Sequence, residues 1–472
     1  MNAKKPNIII IYTDQQRYDT LGVTGNAYIK TPNLDQLANS GTLFTNAFVT
    51  CPICVPSRIS LFTGKYNHAN LSYNNSRLIC DNQMDFAGYL RKTGYRTGLS
   101  GKDHCFGRRL SESFDFVWEA SHLGFKEPAS EDEVAINKYR TGKFTVPFCE
   151  DPFPAEKNLT ASIFNRGKQF IKESNEQPFF LWLSIPDPHP PYMVSEPFAS
   201  MYRDVDFPGP VYGEDEMANK PYRQRMVVEM DKLTADYPTK KDFQKLVSIY
   251  YGMVSCIDQQ VGLLLGFLKE EGLFENTIIV FTSDHGDYLG DHKMIRKGPH
   301  LYDSLTRVPL IFSFPGKIKQ QVADCLVSNI DIFPTLFNII NLEQPDGING
   351  RSFYDVVMGK SNKHREMVFM EHGGPGTVLQ LGELSPDDQK RLKNSGNLHL
   401  CDEVYKGRTK GVRTEKWKLC ITPNDVTELY NIESDPFELV NLANDDRYKE
   451  VICKLKGHIL DWLIDTEYYD YI

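Results

Sequence analysis

Cys51 and Cys54 stand at C-x-x-C spacing in the stretch CPICVPSRISLFTG (51–64). That spacing suits a redox pair or half of a zinc site. A zinc site needs a second pair, and no other C-x-x-C occurs in the chain. A redox motif of the thioredoxin kind opens the helix of a small domain, whereas this chain is long. Pro56 pre-sets a first helical turn, PSRISLFTG reads as one helix, and Gly64 closes it. Cys54 then sits at a helix N-terminus, where backbone N–H groups and the macrodipole favour an anion or an oxyanion. The position picks Cys54 as the reactive residue and leaves Cys51 to packing.

Four further groups of ionisable residues each follow an apolar strand. Asp14 and Gln15 follow NIIIIYT, and Lys102, Asp103 and His104 follow YRTGLS. Asp187 and His189 follow FFLWLSI, and Asp284, His285 and Asp287 follow NTIIVFTS. Open α/β sheets bind ligands at the carboxyl ends of their strands, so four such groups on one edge define a candidate site. Asp14, Gln15, Asp284 and His285 form an expected metal set. Carboxylate and amide oxygens with one imidazole suit calcium, magnesium or manganese. Helix capping is the alternative for the two aspartates. Lys102, His104, His189 and Lys297 would place positive charge and proton donors around an anion. Surface lysines and core histidines are the alternative for these four.

The elements that must position these residues alternate. A short β-branched run is followed by a loop and then an amphipathic helix, as in TPNLDQLANSG (31–41), FAGYLRKTG (86–94) and ASIFNRGKQFIKE (161–173). A long helix is expected over about 243–271. This order implies an α/β fold with a large, mostly parallel sheet flanked by helices. The catalytic domain is expected over 1–365, with 195–245 an insertion over one face of the sheet, a candidate lid. Residues 366–472 read as a smaller α+β domain of antiparallel strands and a terminal helix.

With 472 residues, 41% hydrophobic and 24% charged, the chain can bury a large core. A net charge of -9 argues against nucleic-acid binding but leaves room for a local cationic pocket. Ten scattered cysteines are too few for a disulfide scaffold. No stretch reaches transmembrane length, so no membrane partner is expected. The apolar run IIIIY is too short for a signal peptide, and the chain as given reads as cytoplasmic unless a leader has been removed.

C-V-P-S-R-I-S-L-F-T-G (54–64) resembles the signature of type I sulfatases, of the alkaline phosphatase superfamily. PNIIIIYTDQQRYDTLG, TPNLDQLANSGTLFTNAF, GKDHCFG, PHPPY, SDHGDYLGDHKMIRKGPHLYDSLTRVPLI and ELYNIESDPFELVNLA are similar to the family's other blocks, in its order. The resemblance spans nearly the whole chain. It implies that a separate maturation enzyme oxidises Cys54 to formylglycine. The hydrated aldehyde would be held by a divalent metal, calcium foremost, and by Arg58. One hydroxyl would attack the sulfur of a sulfate ester, a histidine or lysine would protonate the leaving alcohol, and the second hydroxyl would expel sulfate. The implied catalytic residues are Cys54, Arg58, Lys102, His104, His189 and Lys297. Cys54 joins Asp14, Gln15, Asp284 and His285 at the metal.

Many sulfatases carry Asp-Asp where this chain has Asp14-Gln15. TDQ with SDHG also resembles the choline sulfatase and phosphonate monoester hydrolase branch. A phosphonate monoester or phosphodiester hydrolase using the same formylglycine is therefore the second reading, and a catalytically silent anion- or glycan-binding protein the third. A sulfated carbohydrate or another small sulfate ester is the expected substrate. Its expected contacts are His189, Lys297 and Asn75, with 66–80, 195–245 and 371–400 as further determinants. Arg413 reads as a surface strand charge.

Overall fold

The computed structural model describes residues 4–143, 148–233, 239–376 and 407–467. A nine-stranded sheet forms its centre. In spatial order the strands are Gln321–Ala323, Thr42–Phe44, Leu310–Ser313, Thr277–Ser283, Asn7–Asp14, Phe179–Pro188, Arg96–Gly101, Phe116–Ser121 and Gly124–Phe125. Asn7–Asp14 is the middle strand and pairs in parallel with Thr277–Ser283 on one side and Phe179–Pro188 on the other. Leu310–Ser313 runs antiparallel to its two neighbours.

The middle strand is apolar without a break because both of its faces are covered. Ile8, Ile10 and Tyr12 enter one core, with Ile59 and Phe62 of helix Cys54–Thr63 and Phe333 and Leu336 of helix Ile332–Ile339. Ile9 and Ile11 enter the opposite core, with Leu34, Phe164 and Val261 from helices Pro32–Asn39, Leu159–Glu173 and Lys240–Glu270. The last is the expected long helix, 31 residues, opened by a capping box in which Thr239 and Asp242 bond each other's backbone N–H. None of the helices among the described residues is long and apolar enough to cross a membrane.

The smaller unit is an antiparallel sheet of Met367–His372, Thr409–Thr414, Trp417–Ile421 and Glu428–Asn431. Helix Lys449–Thr466 packs Ile452, Leu455, Ile459 and Trp462 onto it. Most of the 371–400 stretch lies outside the described residues, as do 234–238 of the 195–245 stretch. What is described of 195–245 bonds to the smaller unit. Lys220 is buried and donates to Tyr430 Oη at 2.8 Å, and Arg223 donates to Gly407 O at 2.7 Å. Arg413 is not a surface charge. It is 4% exposed at the junction of the two sheets, with Nε 3.7 Å from Asp303 Oδ2.

Candidate active site

The strand ends converge as their alignment requires. Thr13 pairs with Ser283, so Asp14 and Asp284 emerge side by side from neighbouring parallel strands. Gly101 ends the next strand but one at φ +113, and a Cβ there would lie 1.9 Å from Ser184 O. Only glycine permits that approach, which sets Lys102 over the same edge. Helix Cys54–Thr63 begins at the candidate residue itself and ends at Gly64, whose φ of +65 provides the left-handed stop.

Asp14, Cys54, Asp284 and His285 are all buried, and one ligand atom from each lies within 4.8 Å of the others. His285 Nδ1 donates to Gly286 O at 2.8 Å, which leaves Nε2 facing inward, 3.3 Å from Cys54 Sγ. Two carboxylate oxygens, one imidazole nitrogen and the residue-54 atom suit a divalent cation. Arg58, on the same helix as Cys54, ties the two acids together. It donates from Nε to Asp284 Oδ2 at 3.0 Å and from Nη2 to Asp14 Oδ2 at 3.1 Å. Nη1 donates to Ser184 Oγ at 2.7 Å, and the guanidinium lies 5.1 Å from the Tyr12 ring. On the far side of Cys54, Lys297 Nζ donates to Sγ at 2.9 Å and to Gln15 Oε1 at 3.2 Å.

A family comparison matches the Sulfatase model to residues 6–342. The chain belongs to the sulfatase family. It is 30% identical to an arylsulfatase of Clostridium perfringens, over 98% of this chain and 95% of that protein. It is 26% identical to a choline-sulfatase of Rhizobium meliloti, over 95% and 84% of the two chains. Its fold is similar to that of a phosphonate monoester hydrolase of Agrobacterium radiobacter, with a TM-score of 0.80 at 24% identity over 98% and 96%. Like its family, this sulfatase is a sulfuric ester hydrolase. Sulfatases generally use a metal ion and formylglycine, and the buried Asp14, Cys54, Asp284 and His285 cluster is compatible with both.

The electrostatics of the sulfatase site favour an anion at residue 54. Burial and Asp14 push the Cys54 thiol up, but Lys102, Lys297 and His285 outweigh them and bring it down to about 6. Burial also pushes Asp14 up, yet Lys102, His189, Arg58 and Lys297 hold it well below the usual carboxylate range. Asp284 is pushed up by burial and by Asp14. Burial, then the neighbouring cations, hold His104 and His189 well below the ordinary imidazole value.

Of the expected contacts, Lys102 reaches the site by pairing with Asp14, and its Nζ touches Oδ2. His189 donates Nδ1–H to Pro190 O at 2.7 Å and stacks on His122 with ring centres 4.7 Å apart. His104 has a φ of +62, and its Nδ1 has no hydrogen-bond partner among the described residues. Asn75 Oδ1 accepts Val55 N–H at 3.1 Å, capping the helix that begins at Cys54, and its amide nitrogen stays available to a substrate. Asp103 caps a turn by accepting from Phe106 N and Gly107 N at 2.8 and 2.9 Å.

Tyr192 and Ser184 escaped sequence reasoning, and Asp287 was noted without a partner. Tyr192 Oη and Gln15 Nε2 both donate to Asp287 Oδ2, each at 2.6 Å. The PHPPY block was the one available signal for Tyr192; nothing local marks Ser184. Cys51 is 1% exposed, and burial raises its thiol well above the ordinary value, as the packing role requires. The described cysteines are all free.

Proposed function

We propose that this chain hydrolyses the sulfate ester of a small molecule or oligosaccharide, with Cys54 matured to formylglycine by a dedicated enzyme and with calcium as the cation. The observation that carries this reading is the place of Cys54. It opens a buried helix between a Asp14/Asp284/His285 cluster and the Lys297 ammonium. Sγ marks the position of the oxygen that formylglycine would carry. Formylglycine supplies two hydroxyls on one carbon, one to attack sulfur and one to expel sulfate, which a lone thiol or hydroxyl lacks. A cation on Asp14, Gln15, Asp284 and His285 supplies Lewis-acid charge stabilisation.

The chain's own residues divide the rest. Arg58 fixes the two acids and cannot lose its proton. Lys297, across residue 54 from the acids, binds a sulfate oxygen and opposes the charge that grows there. Lys102, paired to Asp14, adds a second positive charge. His104 and His189 flank the leaving-group side. Protonation of the departing alcohol falls to a lysine, or to one of these rings once the negative charge of the bound substrate has brought it a proton. Gln15 in place of a carboxylate makes the cation site less negative, which keeps phosphonate monoesters and phosphodiesters in the substrate panel as the second reading.

The first test is mass spectrometry of the tryptic fragment Thr31–Arg58 from a host that has the maturation enzyme. Conversion of thiol to aldehyde at Cys54 is expected. An unmodified Cys54 in active protein would overturn the formylglycine reading. Parallel assays with sulfate, phosphonate and phosphodiester substrates then rank the two readings by kcat/KM.

A further inference from the structure

Gln15 has a side chain whose two ends must be told apart. Only Oε1 can ligate a cation, and only Nε2 can donate a hydrogen bond. Nε2 lies 2.6 Å from Asp287 Oδ2 and 3.4 Å from Tyr192 Oη. Tyr192 donates its own hydroxyl to the same Oδ2 at 2.6 Å, and Asp287 Oδ1 accepts Leu289 N–H at 2.8 Å. A carboxylate accepts and does not donate, so Asp287 selects Nε2. Oε1 is thereby turned the other way, to where Lys297 Nζ meets it at 3.2 Å beside Cys54. The backbone is fixed as firmly. Gln15 has a φ of +69, its N–H donates to Asp284 Oδ1 at 3.0 Å, and its carbonyl accepts from Tyr250 Oη at 2.6 Å.

Asp287 and Tyr192 are 0% and 1% exposed, so this arrangement is dry and electrostatically strong. The charge logic is complementary. A carboxylate at position 15 would face the Asp287 carboxylate at hydrogen-bond distance. An amide there removes that repulsion and leaves the negative charge on Asp287, one hydrogen bond further from the cluster.

We propose that Asp287 and Tyr192 act as positioning residues that orient the Gln15 amide so that its oxygen faces a bound cation. This rests on the cation reading above. The clamp needs no contact between Asp287 and the cation. Outer partners of this kind commonly change metal affinity by 10–100-fold.

The test is calorimetric titration of the apo chain with Ca2+ and, separately, Mn2+, with the cation-induced rise in Tm as a second readout. Asp287→Asn offers its own amide donor, lets Gln15 turn over, and weakens cation binding by roughly 10–100-fold. Tyr192→Phe weakens it by roughly 2–10-fold, and carries the test should Asp287→Asn fail to fold. The exchange variant Gln15→Glu with Asp287→Asn reverses donor and acceptor. It restores affinity to within about threefold of wild type, where the two single changes alone do not. A lower apo Tm with unchanged cation affinity in both single variants would show a merely structural role and overturn the clamp alone. Binding of neither cation by the wild type overturns the cation reading and the clamp with it.

Discussion

Lys297 Nζ lies 2.9 Å from Cys54 Sγ and 3.2 Å from Gln15 Oε1, bridging the nucleophile to the strand-end cluster. The lysine is 4% exposed, and 243 residues separate it from Cys54. Its ammonium stands where, in the proposed reaction, the charge of an attacked sulfate would collect. Lys297→Met keeps the volume and removes the charge. A fall of roughly 10²–10³ in kcat/KM is expected, with Tm within a few degrees of wild type. Retention of full activity would remove Lys297 from the proposed machinery.

Cys54→Ala removes the thiol that maturation must replace in turning the side chain into an aldehyde. Turnover is expected to fall by on the order of 10⁶-fold, as nucleophile deletions do. The far-UV spectrum and Tm should stay close to wild type, because Pro56, Gly64 and the buried face of the helix are untouched. Measurable steady-state hydrolysis above background would sink the nucleophile assignment.

Cys51→Ala separates the two cysteines. Cys51 is buried beside Ile53, and its thiol is held protonated by burial and by Glu371. Activity within about threefold of wild type is expected, with a stability loss of about 1 kcal/mol from the small void. Loss of activity that a reductant reverses would revive a redox role for the pair.

Chelation followed by add-back tests the cation. Without it, Asp14 and Asp284 are still bridged by Arg58, so the apo chain is expected to stay folded. Activity should disappear and Tm should drop. Both should return with Ca2+ in a saturable way, with about 2.7 kcal/mol of stabilisation at a hundredfold excess over Kd. Full activity after exhaustive removal, verified by elemental analysis, would contradict the cluster assignment.

Glu371 gives a stability prediction away from the site. Burial pushes its carboxyl up, but Lys410 and His68 bring it down to about 2 from an ordinary 4.5. The native state therefore binds this proton less readily than the unfolded chain. The stabilisation is complete above about pH 5 and is lost as pH falls through about 2, amounting to roughly 3 kcal/mol. Denaturant unfolding between pH 7 and pH 3 should show a steeper loss for wild type than for Glu371→Gln. Parallel slopes would remove Glu371 as the source.

Much of this could be read along the chain because the signals are local. The unbroken run Ile8–Ile11 declares a strand covered on both faces, and Pro56 with Gly64 brackets the helix that starts at Cys54. Four ionisable groups directly after apolar strands place themselves at one sheet edge by strand direction alone. The capping role of Asn75 was hidden because its partner, Val55 N–H, lies 20 residues away on another element. Arg413 misled because a strand charge looks the same whether it meets water or, across two sheets, Asp303.

The sequence by itself determined the strand-helix alternation and which strand ends carry ionisable residues. Residue type and the periods of strand and helix suffice for those. Only the tertiary structure decided that Arg58 holds both acids, which way the Gln15 amide points, and that Asp287 and Tyr192 hold it there. Those choices depend on hydrogen bonds between residues 44 to 272 positions apart in the chain. They depend also on a burial that makes each bond strong, and neither leaves a trace in local pattern.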